Sequence, residues 1–250
     1  MLELKDIAAG YGKREILHRI SAGFETGSIT GIVGPNGCGK STLLKAMLGI
    51  LPLTAGTVSL QGKPLSALKR TDIAGRIAYL AQGKSTPDMT VTQLVLHGRF
   101  PHLKYPRHYT DRDRAIAASA MERMGISGLA DTPMSSLSGG MRQTAYLAMA
   151  LAQDTDYILL DEPNTYLDIS HQLDLMRLLR ALARDGKGIV AVMHDLPMAL
   201  TFSDRITVMR DGRILMSGAS GEICASGILN DLFGVSVGMT AETGDYFYRY

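Results

Sequence analysis

Residues Gly34-Pro35-Asn36-Gly37-Cys38-Gly39-Lys40-Ser41-Thr42 follow G-x-x-x-x-G-K-S/T and carry the clearest chemistry in the chain. Glycines let backbone N–H groups close around the β- and γ-phosphates of a nucleotide. Lys40 adds a point charge and Ser41 a hydroxyl for Mg²⁺. Such a loop needs a strand before it and a helix opening on it. Both are legible: Ser28 to Val33 is a short apolar run, and Leu44, Met47 and Leu48 recur at helical spacing before Gly49 and Pro52 stop the pattern. A chance Gly-rich turn would lack that context.

A second group is Tyr157-Ile158-Leu159-Leu160-Asp161-Glu162, an apolar strand ending in two carboxylates. Ligands of parallel sheets bind at the carboxyl ends of strands. Alternation along the strand puts Asp161 toward a Mg²⁺ shell and aims Glu162 at a water attacking a γ-phosphate. Taken alone, a strand ending in Asp-Glu is often just a solvated terminus. The third group, Leu137-Ser138-Gly139-Gly140-Met141, precedes a helix patterned by Thr144, Leu147, Ala148 and Leu151. Ser138 is a natural N-cap, and the two glycines expose further N–H groups to an anion. It lies 23 residues before Asp161.

These residues resemble the ATP-binding subunits of ABC transporters, and the resemblance covers essentially the whole chain. It implies a head-to-tail homodimer in which Ser138, Gly139 and Gly140 of one copy close over ATP held by the phosphate loop of the other. It also assigns single positions. Tyr11 matches the aromatic that stacks on adenine, and Gln82 the residue that reaches Mg²⁺ and senses the γ-phosphate. Asp168, after Leu167, matches the loop coupling the two sites, and His194 the histidine that contacts the γ-phosphate. The catalytic set is then Glu162, His194, Lys40 and Gln82, with Ser41, Gln82 and Asp161 on the metal. Two positions depart from the pattern: Met141 stands where Gln is usual, and Asn164 where Thr or Ser is commoner.

The fold class expected is α/β: a P-loop NTPase with a RecA-like core and mixed sheet, an antiparallel β subdomain and an inserted helical subdomain. Further strands are expected at Gly56 to Gln61, Arg76 to Ala81, Gly188 to Met193 and Arg205 to Met209, with residues 2 to 9 alternating as another. Several are continuously apolar, as strands covered on both faces require. Between Gln82 and Ser136 strands give way to loops and helices, Val91 to His97 and then Asp111 to Met124 with Ile116, Ala120 and Met124 on one side. The single domain therefore divides into a nucleotide-binding core, 1–82 and 156–250, and a helical insertion, 83–155. Leu175, Leu178, Leu179 and Leu182 form a core-facing stripe, and Val235 to Tyr250 reads as a final hairpin.

Composition narrows the setting. The chain has 250 residues, 46 % hydrophobic and 20 % charged, so it can bury a sizeable core and is neither disordered nor fibrous. Lys plus Arg is 26 against 24 Asp plus Glu, too balanced for a nucleic-acid binder working through a bulk basic surface. The longest charge-free stretch, Ala46 to Gly62, is broken by Gly49, Pro52 and Gly56, so no spanning helix is expected. Cys38 and Cys224 are too few for a disulfide framework, and Glu3, Lys5 and Asp6 do not fit a secretory signal. The expected place is the cytoplasmic face of the cell membrane, with a separate permease docking near Gln82 to Asp88 and, indirectly, a substrate-binding protein.

The basic segment His97 to His108, with Gly98-Arg99 and Pro101-His102, is similar to the subgroup serving iron-siderophore, haem and cobalamin importers, as are Thr165 to Gln172 and Leu232 to Val235. The competing reading is a soluble ABC-type ATPase of a cofactor-assembly complex. DNA-repair relatives need a long coiled coil, whereas Lys40 and Ser138 are only 98 residues apart with no sustained heptads between them.

Overall fold

The alternating start of the chain becomes β1 (Leu2–Tyr11), which turns at Gly12 into β2 (Arg14–Phe24). The computed structural model describes residues 1–83, 86–240 and 246–249. It separates into two compact units, Met1–Leu68 with Leu178–Tyr250 and Lys69–Arg177. In the first, the apolar run at Ile29 forms β3 (Ile29–Val33), the phosphate loop follows, and α1 (Lys40–Met47) opens on it. The strands β4 (Leu53–Leu60) and β5 (Lys63–Pro64) then complete an antiparallel sheet of order β2-β1-β4-β5.

In the second unit, a short α2 (Arg70–Ala74) leads into β6 (Ile77–Leu80), followed by the helices α3 (Val91–His97), α4 (Asp111–Arg123) and α5 (Gly139–Ala152). Thr90 and Thr110 cap α3 and α4 with reciprocal boxes through Gln93 and Asp113, fixing where each helix starts. The buried face of α4 is rotated from the expected stripe: Asp113, Ala117, Ala120 and Met121 are buried, and Ile116 and Met124 only half so. The cause is Asp113, drawn inward to the buried guanidinium of Arg99 at 3.0 Å. After α5, β7 (Tyr157–Asp161) pairs in parallel with β6 and is buried along its full length.

The helix α6 (Ile169–Arg184) buries Leu175, Met176, Leu179 and Leu182, close to the expected stripe, with Leu178 half-buried. Back in the first unit, β8 (Gly188–Val192) pairs in parallel with β3, α7 (Leu196–Phe202) follows, and β9 (Arg205–Arg210) pairs in parallel with the other side of β3. Next comes β10 (Arg213–Gly218), antiparallel to β9, so the sheet here is mixed with order β10-β9-β3-β8. Every residue of β3 and β8 is buried, which is why both read as unbroken apolar runs. The chain ends through α8 (Ser220–Ala225), α9 (Ile228–Phe233) and a hairpin of β11 (Ser236–Met239) with β12 (Tyr246–Arg249). The rest of the expected hairpin, 241–245 and 250, lies outside the described residues. Among the described residues no helix is long and apolar enough to cross a membrane.

Candidate functional site

The phosphate loop is built by backbone necessity. Gly39, the residue before α1, has φ +106°, and Gly37 has φ +76°, both in the left-handed region that a side chain would strain. At Gly34 a Cβ would run into the carbonyl oxygen of Met209 in β9 and lie 2.8 Å from the Cys38 thiol, so only glycine fits. Cys38 N–H donates to the Pro35 carbonyl at 3.3 Å, and its own carbonyl accepts from Gly212 at 2.9 Å. Lys40 is 6 % exposed, with its ammonium donating to the carbonyls of Gly34 (2.7 Å) and Pro35 (3.0 Å). The result is a loop with a defined path and a buried cation at its centre. Tyr11, half exposed at the end of β1, has the ammonium of Lys45 5.9 Å from its ring centroid. His194 is exposed just beyond β8, ahead of Asp195, whose carboxylate caps α7 by accepting from Met198 N–H at 2.8 Å.

Cys38 does not present its thiol to solvent. It is 5 % exposed, and burial pushes the thiol up against the opposing pull of Lys40. Thiolate is the reactive form, so maleimide is expected to modify Cys38 in the folded chain at least about tenfold more slowly than in the denatured chain. Peptide mass spectrometry of a labelling time course measures this; labelling at the denatured rate would disprove the packing.

The second unit holds the carboxylates. Asp161 closes β7 at 3 % exposure and accepts from the Tyr79 hydroxyl at 3.4 Å. Glu162 follows with φ +53°, a left-handed turn costing a non-glycine residue roughly 1 kcal/mol that redirects its side chain from the strand's alternation. The conformation is held from behind: the Glu162 carbonyl accepts from the Thr165 hydroxyl (3.0 Å) and the Thr165 N–H (3.3 Å). The structure brings Gln82 and Glu162 into contact, the Gln82 amide donating to Glu162 Oε2. Their 80-residue separation gave no sign of this bond.

Ser138 caps α5 as expected, accepting from Met141 N–H at 3.3 Å. Gly140 has a further reason to be small: a Cβ there would lie 3.2 Å from the Tyr166 carbonyl oxygen, tighter than ordinary contact, whereas one on Gly139 would meet Tyr166 Cβ at an ordinary 3.5 Å. The loop after Glu162 thus lies directly on the start of α5. Gln143, which the motif reading missed, ties the same two segments by donating to the Pro163 carbonyl at 2.9 Å. Gln172 likewise donates to the Leu167 carbonyl (2.9 Å) and the Asn164 carbonyl (3.4 Å). Asp168 accepts from the His171 N–H at 2.9 Å and sits 2.8 Å from its ring Nδ1; both hold its carboxyl below the usual range. A cavity of about 270 Å³ opens beside α5, lined by Gly83, Thr86, Arg142, Tyr146 and Tyr166 among others. Of the expected docking stretch Gln82 to Asp88, Lys84 and Ser85 lie outside the described residues.

Known proteins resemble this chain in sequence and in fold. The ABC transporter family model matches residues 17–165. The iron(3+)-hydroxamate import ATP-binding protein FhuC of Bacillus subtilis is 41 % identical over 234 residues, covering 93 % of this chain and 87 % of that protein. The ferric enterobactin transport ATP-binding protein FepC of Escherichia coli is 40 % identical over 233 residues, covering 92 % and 86 %. Among solved structures, a chain of a metal-chelate type transporter in an inward-facing conformation matches with TM-score 0.84 and 26 % identity, over 100 % of this chain and 97 % of that one.

Proposed function

The chain belongs to the ABC transporter family, and from that premise we propose that it is the ATP-binding and ATP-hydrolysing subunit of an importer, energising uptake of an iron chelate such as a siderophore or haem, or of a cobalamin-like substrate, through a separate membrane permease. The observation that carries the reading is the similarity, at 40–41 % identity over 92–93 % of this chain, to ATP-binding proteins named for iron(3+)-hydroxamate import and ferric enterobactin transport.

The roles proposed for the residues follow from their chemistry. The backbone of Gly34, Asn36, Gly37, Cys38, Gly39 and Thr42 receives the phosphates, Lys40 neutralises charge between β and γ, and Tyr11 stacks on adenine. Glu162 accepts a proton from the attacking water, while Lys40, His194 and the Ser138-Gly139-Gly140 turn of a second copy stabilise charge on the γ-phosphoryl group. Asp168 couples the two nucleotides of the homodimer. The groups assigned to a metal, the Ser41 hydroxyl, the Gln82 amide and the buried Asp161 carboxylate, all offer hard oxygen donors of the kind Mg²⁺ takes. When bound, Mg²⁺ neutralises phosphate oxygens and holds them in line for transfer.

The nucleotide-binding core is read as 1–82 and 156–250, with 83–155 as the helical insertion that receives the permease at the cytoplasmic face of the membrane. A binding protein delivers substrate on the other side. The Glu162→Gln variant, tagged and trapped with Mg-ATP in cells, is expected to co-purify with a polytopic membrane protein identified by mass spectrometry. Recovery of soluble assembly factors alone, from a fully solubilised membrane fraction, would overturn the transporter reading in favour of a cofactor-assembly ATPase.

A further inference from the structure

A second concavity, about 590 Å³, lies in the Lys69–Arg177 unit and contains none of the nucleotide motifs. Its wall carries Lys104, His108 and Arg112, each exposed and, among the described residues, without an ion-pair partner. One acid of the wall, Asp113, is already committed: it accepts from Arg99 at 3.0 Å and from Thr110 at 2.6 Å. The other acid of the wall is Asp154, so Lys104 and Arg112 leave the cavity with an excess of fixed positive charge. Lys104 and His108 sit on an anchored loop, and Arg112 sits in the first turn of α4. His102 Nε2 is 2.7 Å from the Gln153 carbonyl, and the Arg107 guanidinium stacks 4.5 Å from the centroid of the Phe100 ring.

At the rim stands Tyr105, 96 % exposed, with Phe100 also exposed nearby in sequence. Aromatic rings beside basic side chains suit the interface of a bilayer, where the ring enters the headgroup layer and the cations meet lipid phosphate. An acidic peptide would satisfy the charge alone. A Lys point charge and an Arg fork suit a phosphate, and the protruding ring of Tyr105 suits the headgroup layer, which together favour a lipid phosphate over an acidic peptide.

We propose that this cavity binds the phosphate of an anionic glycerophospholipid headgroup at the membrane surface. The site goes beyond the ATPase reading and uses no residue of the nucleotide machinery. Co-sedimentation of the full chain with vesicles of phosphatidylcholine alone, and of phosphatidylcholine with phosphatidylglycerol, tests it. Binding is expected to the anionic vesicles only, and the Lys104→Gln/Arg112→Gln double variant is expected to weaken it about thirtyfold, with nucleotide binding unchanged as the check on folding. Inorganic phosphate is expected to displace the wild type more effectively than sodium chloride of equal ionic strength. Equal partitioning of wild type and variant, absence of anionic-vesicle binding, or displacement by salt and phosphate alike would overturn the site. So would retention of vesicle binding by the double variant when the chain instead loses an acidic peptide probe.

Discussion

Glu162→Gln is expected to bind ATP as well as the wild type and to turn it over about 10²- to 10⁴-fold more slowly, the usual cost of losing a general base. Glutamine has nearly the same shape and keeps an oxygen that can accept from Gln82, as Glu162 Oε2 does. The backbone turn at φ +53° is set by Thr165, which donates twice to the residue's carbonyl, so the substitution leaves the geometry in place. What disappears is the basicity of the carboxylate. Steady-state phosphate release and binding of a fluorescent ATP analogue separate the two effects: kcat falls while affinity stays. A companion variant, Gln82→Ala, removes the neutral donor to Glu162 together with the amide oxygen proposed for Mg²⁺, and is expected to lower kcat by less than Glu162→Gln does, since the carboxylate base remains. Wild-type turnover in Glu162→Gln would remove Glu162 from the role of base.

Much of this site was legible in the sequence, and what was not has specific physical causes. The phosphate loop announced itself because glycine spacing, an apolar run and helical periodicity all agree over Ile29–Met47. The strand Arg14–Phe24 escaped because its buried residues, Leu17, Ile20 and Phe24, fall at helical rather than alternating spacing. Register shifts in its pairing with the first strand, and the positive φ of Arg19 (49°), reset its alternation. The strand Arg213–Gly218 carried a readable signal in Asp211-Gly212, whose φ values of 48° and 71° suit a two-residue hairpin. The contacts that no spacing reveals are those across the second unit: Gln82 to Glu162, Gln143 to Pro163, and Gln172 to Leu167. Arg99 makes the same point. As one cation in a run of basic residues it reads as solvated, yet it is 6 % exposed because its partner Asp113 comes 14 residues later.

That buried pair is where a substitution far from the nucleotide should cost most. Arg99→Ala is expected to destabilise the fold by about 3–5 kcal/mol, since it leaves the Asp113 carboxylate buried without its guanidinium and the Ala152 carbonyl without its 2.9 Å donor. Replacing both charges with apolar residues of similar volume, Arg99→Met with Asp113→Leu, is expected to recover most of that loss, because two desolvation penalties vanish with the attraction. Recovery would be incomplete, since Asp113 also accepts from the hydroxyl and N–H of Thr110 and so starts the α4 helix. The Thr110 hydroxyl first, then its N–H and Arg99, lower the Asp113 carboxyl from 3.8 to about 2. A carboxyl lowered on folding stabilises the protein fully above its unfolded value and loses that contribution as pH falls through the folded one. The stability gap between wild type and Asp113→Leu should therefore be constant above about pH 4 and close between about pH 4 and 2. Denaturant midpoints at a series of pH values measure both effects. A gap that is flat down to pH 2, or single variants no less stable than the double, would show that the pair does not hold the helices as the structure implies.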